Sequence, residues 1–138
     1  MAFWLLKTEP DDYSYDDLAR DQRCAWDGVG NALALKHIRE MKKGDQALLY
    51  HTGKEKAVVG IASVVTDAYP DPAGDDERMV VIDLKPAKRL KHPVTLHRIK
   101  ADPAFAEWEL VRISRLSVMP VPAQLWKRLE QLSETEDE

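Results

Sequence analysis

One cysteine, Cys24, occurs in 138 residues, so no disulfide can close within the chain, and a reducing, cytoplasmic setting is expected. The four histidines, His37, His51, His92 and His97, fall at no ligand spacing, which gives no reason to expect a metal. No apolar run approaches the ~18 residues of a membrane-spanning helix. The apolar start, Met1 to Leu6, meets Lys7-Thr8-Glu9-Pro10 without the basic leader or cleavage site of a secretory signal. Gly28-Val29-Gly30 lacks the third glycine of a dinucleotide fold and the Gly-Lys-Ser/Thr of a phosphate loop. No cofactor is therefore expected. Internal repeats and low-complexity linkers are also missing, which leaves one globular domain as the simplest organisation.

What is present suits that size. Hydrophobic residues make up 44% of the chain, enough for a core that needs no covalent staple. The net charge of -4 argues at first against a polyanionic partner, because phosphates are held mainly by Lys and Arg. However, the end of the chain, Ser133-Glu134-Thr135-Glu136-Asp137-Glu138, holds four of the 24 acids and no base, so residues 1–133 carry 20 charges of each sign. The expected organisation is a neutral domain over 1–133, followed by a short acidic, disordered tail over 134–138.

Residues 2–7 have the aromatic and aliphatic content of a buried strand, stopped by Pro10 and the Asp11-Asp12 turn pair. Ser14 is placed to cap a two-turn helix, with Asp16 and Asp17 at its positive end. Asn31 is placed to cap a second, in which Leu33, Leu35, Ile38 and Met41 recur at helical spacing and Gly44 is the expected stop. Residues 45–52 and 56–66 read as a hairpin turning at Gly53, and residues 79–89 as another strand beyond the turn-rich stretch 69–76. A short helix is expected over 95–100, a late strand over Val111–Ser114, and a final amphipathic helix after Pro120 and Pro122. Strands and helices alternate irregularly, which points to an α+β fold rather than a doubly wound sheet.

Three groups of residues could carry chemistry. Lys7, Thr8 and Glu9 place an amine, a hydroxyl and a carboxylate at a strand end, either as a site on a stiff scaffold or as ordinary strand-end polarity. Trp26, Tyr50 and His51 are polar-tipped aromatics beside turns: they can wall a pocket for a flat ring or simply plug the core. Lys85, Lys88, Arg89, Lys91, Arg98 and Lys100, with Arg112 and Arg115 further on, could hold phosphates along one face or form a solvated surface.

The segments Trp4-Leu5-Leu6-Lys7-Thr8-Glu9-Pro10, Tyr13-Ser14, Trp26-Asp27-Gly28-Val29 with Asn31, Met41-Lys42-Lys43-Gly44-Asp45, Tyr50-His51-Thr52, Val59-Gly60-Ile61-Ala62 and Arg115 to Val121 resemble, in order, the signature segments of the EVE domain family of the PUA-like superfamily. The resemblance covers about nine-tenths of the chain. It implies a PUA-like mixed β-barrel with peripheral α-helices and a pocket that accepts a flipped, modified cytosine. It further implies that Lys7, Thr8 and Glu9 border the pocket, that Trp26 walls it beside Gly28, that Asn31 supplies edge hydrogen bonds, that Tyr50, His51 and Thr52 close it, and that Ser117 lies alongside. The chain departs from the family pattern at Gly30 and Leu35, where arginine is usual.

The function expected from this resemblance is non-catalytic recognition of a modified nucleobase, in DNA or RNA or as a nucleoside, with any effector a separate protein. Two alternatives stand beside it. A small ASCH-type amidohydrolase would use Lys7, Thr8 and Glu9, although neighbours on one strand alternate faces. A partner-binding subunit would present Trp126 on an exposed final helix.

Overall fold

The computed structural model describes residues 1–138 except Asp75, Glu77, Asp137 and Glu138. Its centre is the first strand, β1 (Phe3–Thr8), where Trp4, Leu5 and Leu6 are all buried. β1 runs parallel to β3 (Gln46–His51), with Lys7 opposite Tyr50 and Thr8 opposite His51. Parallel neighbours need a long crossover. Here the crossover carries α1 (Tyr15–Asp21), β2 (Cys24–Trp26) and α2 (Ala32–Glu40).

The remaining strands are antiparallel to their neighbours. β3 turns at Gly53 (φ 75°) into β4 (Ala57–Val64), and β4 pairs with β6 (Val80–Thr95), whose flank also carries the short β5 (Tyr69–Pro70). β7 (Val118–Pro120) closes the other side of β1, giving the order β2-β6-β4-β3-β1-β7 among the described residues. Register shifts at Leu49/Tyr50, Val58/Gly60 and Ile61/Ala62 bend these strands, as bulges do. The sheet curls into a half-barrel, so the fold is mixed α+β with helices around it.

Local chemistry explains the ends of the elements. Ser14 and Asp17 form a reciprocal capping box at α1, and the Asn31 side chain accepts from Ala34 N at 3.0 Å to start α2. α2 stops at Glu40, short of the expected Gly44, because Met41 is already extended and Gly44 (φ 99°) serves the next turn. Leu33 lies 40% exposed, so the buried stripe of α2 is Ala34, Leu35 and Ile38. Asp45, 5% exposed, ties that turn to β1: its carboxylate accepts from Ala2 N, Trp4 Nε1 and Lys42 N at 2.9–3.0 Å.

Tyr15 clamps α1 to the sheet. Its ring lies on Gly60, its hydroxyl donates to Ile61 O at 2.8 Å, and its N–H donates to His51 Nε2 at 3.0 Å. A β-carbon at residue 60 would lie 2.5 Å from the ring, so the glycine is a packing requirement.

The second half departs from expectation in three places. β6 continues past Arg89 to Thr95, where the Thr95 side chain caps α3 (Leu96–Ala101). Residues 111–114, expected as a late strand, instead follow a 3-10 turn (Pro103–Phe105) and fall on and after α4 (Glu109–Arg112). The β-branched Val111 and Ile113 suggest strand, but Trp108, with its indole donating to Pro120 O at 3.0 Å, starts a helical turn there. Lastly, α5 (Ala123–Ser133) does not present Trp126: the ring is 5% exposed and stacks on Phe3 at 4.4 Å.

Within the expected tail, Thr135 accepts from the Arg98 guanidinium at 2.7 and 2.8 Å, and Glu136 lies 3.8 Å from His92. Asp137 and Glu138 lie outside the described residues. Among the described residues, no helix is long and apolar enough to cross a membrane.

Candidate functional site

Because successive side chains on a strand point to opposite faces, the end of β1 serves two clefts. Thr8 opens onto a cleft of about 450 Å³ walled by Trp26 and Tyr13. Lys7 opens onto one of about 300 Å³ with Tyr50 and Thr52. The residues expected to form one pocket are thus divided between two.

The Trp26 cleft forms where β2 ends. Trp26 is 7% exposed, and its backbone pairs with Ile82 of β6. The Tyr13 ring meets it edge-on, at 6.2 Å between centroids and 79° between planes. Thr8 Oγ1 donates to Tyr13 O at 2.7 Å, so β1 positions the second aromatic through the first hydroxyl. Gly28, in the left-handed region at φ 75°, lines the mouth, and no atom lies within 4 Å of a β-carbon built there. Asp12 and Asp27 are exposed carboxylates in the lining, which holds no lysine or arginine.

Both titratable groups deeper in this cleft stay neutral. Burial, then hydrogen bonding to Cys24 and Asp21, pushes the Tyr13 phenol well above its usual range. Burial likewise raises the Cys24 thiol. The cleft therefore offers aromatic surface and anionic acceptors at its rim, while its hydroxyl and thiol hydrogens are donated to Tyr13 O, Asp21 and Ala25 O.

The Lys7 cleft differs in charge. Lys7 Nζ donates to Ser114 O at 2.9 Å and lies 5.7 Å from the Tyr50 ring centre, and burial lowers its pKa. Lys56 and Lys100 line the same cleft. Glu9 turns to its edge, where Oε2 accepts from Thr52 Oγ1 at 3.1 Å and the carboxylate packs over Gly53.

His51 reaches neither cleft lining. It is 7% exposed and wedged between α1 and Glu55: Nε2 accepts from Tyr15 N, and Nδ1 lies 2.6 Å from Glu55 Oε1. Asn31 uses its Oδ1 to cap α2 and lines neither cleft, and Ser117 meets β1 through its carbonyl, which accepts from Lys7 N at 2.9 Å. Lys88 and Arg89 lie on β6, where Arg89 pairs with Asp16 and covers the Tyr15 ring at 4.8 Å. Arg112 and Arg115 lie on and just after α4, and three strands separate β6 from β7 in the sheet order. Gly30 and Leu35 line a further cleft of about 330 Å³ that does contain arginines, Arg39 and Arg78, with Arg39 donating to Arg78 O at 2.7 Å.

The reading of the residues alone missed Asp12, Cys24 and Asp27 as cleft linings and Lys56 as a companion of Lys7, and it grouped Lys100 with the basic residues from Lys85 on rather than with Lys7. Tyr13 could have been found from its place just after the Pro10-Asp11-Asp12 turn that follows β1. No local signal joins Lys56 and Lys100 to Lys7, because α3 and the start of β4 come together only in the folded chain. No group of three or more His, Cys, Asp or Glu residues that could hold a metal occurs among the described residues.

The sequence profile of the EVE domain matches residues 2–132. The chain belongs to the EVE domain family. Mouse thymocyte nuclear protein 1 is 28% identical to this EVE domain over 97% of the chain and 74% of the mouse protein. The solved structure of Rpa0253 from Rhodopseudomonas palustris is 41% identical, with a TM-score of 0.92 over 97% of this chain and 94% of that one. Human THYN1 protein in complex with 5-methylcytosine-containing DNA is 26% identical, with a TM-score of 0.91 over 99% of this EVE domain and all of that chain.

Proposed function

We propose that this EVE domain is a non-catalytic reader of a modified nucleobase, a modified cytosine in DNA or RNA, which it accepts flipped out into the Trp26 cleft. The observation that carries the reading is the match, over 99% of the chain, to a relative held in complex with 5-methylcytosine-containing DNA. The cleft supports it chemically. A flat ring can stack on Trp26 with Tyr13 against its edge, while Asp12 or Asp27 accepts from an exocyclic amino group, as carboxylates accept from cytosine N4. Neutral Tyr13 and Cys24 leave the interior uncharged, which suits a neutral base.

Hydrolysis draws less support. An amidohydrolase built from Lys7, Thr8 and Glu9 needs all three at one substrate, yet Lys7 and Thr8 line different clefts. The lone Cys24 favours a reducing compartment, in keeping with cytoplasmic nucleic acid as the partner.

The test is a titration by intrinsic tryptophan fluorescence with oligonucleotides that differ only in carrying cytosine, 5-methylcytosine or 5-hydroxymethylcytosine at one position. A reader binds a modified base more tightly than cytosine, and Trp26→Phe, which narrows the stacking face, weakens that binding. Stacking is worth about 1–3 kcal/mol per base, so full loss of the ring corresponds to roughly tenfold or more. Equal binding of all three oligonucleotides would remove the modified-base assignment.

A further inference from the structure

Acids and bases are sorted between the two clefts that share the end of β1. The Trp26 cleft has Asp12 and Asp27 in its lining and no cation, so a phosphate is repelled there. The cleft behind it is lined by Lys7, Lys56 and Lys100, with one carboxylate at its edge, Glu9, which accepts from Thr52 and packs over Gly53. It runs into a shallower groove of about 440 Å³ that shares Lys56, Leu96 and Lys100 and adds Lys54 and His97. One acid, Glu55, lines that groove, and its carboxylate is engaged by His51.

No lysine takes part in an ion pair among the described residues, Lys7, Lys54, Lys56 and Lys100 included; what sets these four apart is that they line one cleft and the groove beyond it. Lys7 is the most telling, because it is half-buried and its ammonium meets the Ser114 carbonyl and the Tyr50 face but no carboxylate among the described residues. A cation withdrawn from water without an anion is costly, and an anion in the cleft would offset that cost. Lys56 adds an independent sign. It adopts φ 46°, in the left-handed region, where glycine or asparagine is the usual residue and lysine is strained.

Resting on the reader function above, we propose that the Lys7–Lys56–Lys100 cleft, with the groove beyond it, holds backbone phosphates of the nucleic-acid strand whose base enters the Trp26 cleft. The elongated, multi-cation groove suits a strand better than a free nucleotide. It also gives the domain phosphate contacts on the face opposite the base, without arginine at residues 30 and 35. The base is then read on one side of β1 and the backbone held on the other.

The test compares the full chain with the double variant Lys56→Gly, Lys100→Gln. Glycine relieves the left-handed backbone at residue 56, and Lys100 is exposed, so the variant is expected to fold. Binding of labelled single-stranded oligonucleotides, with and without one 5-methylcytosine, is followed by anisotropy across a salt series. Loss of two phosphate contacts should lower the magnitude of the log K against log salt slope by roughly 1.4, at about 0.7 per phosphate on a single strand. Affinity for both oligonucleotides should fall by the same factor, leaving their ratio unchanged.

Lys88→Gln, Lys91→Gln removes the same charge from β6 and should leave the slope near that of the parent. An unchanged slope in the cleft variant, an equal drop in the β6 variant, or a parent without salt-dependent binding would each overturn the proposal. The two readings fail separately. Equal binding of both oligonucleotides with a flattened slope in the cleft variant would keep the phosphate cleft and remove the modified-base reading, and preference for 5-methylcytosine with no change in slope would do the reverse.

Discussion

Residue 60 and residue 45 each do a job that no neighbour can take over. Gly60 leaves the space that the Tyr15 ring fills, and an alanine there would put its β-carbon 2.5 Å from Tyr15 Cε2. The ring would have to shift, straining the bond from its hydroxyl to Ile61 O. Gly60→Ala is therefore expected to cost about 1–3 kcal/mol, as overpacking does, measured as a lower urea midpoint. Asp45 acts through charge. Burial alone would raise its pKa, but hydrogen bonds from Ala2, Trp4 and Lys42 outweigh burial and hold it below 3.8. Its contribution is thus complete above that value and is lost as pH falls through the depressed folded pKa. Asp45→Asn should lower stability by about 1–3 kcal/mol near neutral pH, since a buried charged acceptor is replaced by an amide that presents a donor. The deficit should shrink in urea melts as the pH is taken below 3.8 toward the depressed folded pKa.

At the level of elements, the legible features were those with local causes. Ser14 and Asn31 cap the helices expected of them because a side-chain oxygen beside free N–H groups is a short-range fact. The hairpin at Gly53 was readable for the same reason, a glycine turn between an apolar run ending in Tyr50 and a β-branched one. Val111 to Ser114 misled because β-branched residues favour strands only when a partner strand is available, and here Trp108 and the preceding 3-10 turn direct the chain into α4. The division of the candidate site was half legible: alternation on β1 separates Lys7 from Thr8, but which side would receive Tyr50, Trp26 and Lys56 depends on pairings among strands far apart in sequence. α5 offers a direct check at this scale. With Trp126 stacked on Phe3 rather than exposed, Trp126→Ala should lower unfolding stability by about 3–5 kcal/mol. A variant with parental stability but altered oligomeric state would instead restore α5 as a contact surface.

Across the whole molecule, the near-balance of charge conceals a strong local separation. The overall value of -4 is a poor guide to partners, because carboxylates gather around the aromatic cleft and lysines gather behind it. A chain of this kind should bind nucleic acid with a modest salt dependence set by a few lysines, not by net charge. The parallel seam between β1 and β3 makes that separation possible, since Lys7 lies opposite Tyr50 and Thr8 opposite His51 as both strands end together. The same seam makes the arrangement unforgiving of length. Removing or adding one residue within β1 would turn the ammonium toward the tryptophan and the hydroxyl toward the lysines, exchanging the contents of both mouths in a single step. Substitutions can tune either cleft alone, but the spacing of the strand governs them jointly.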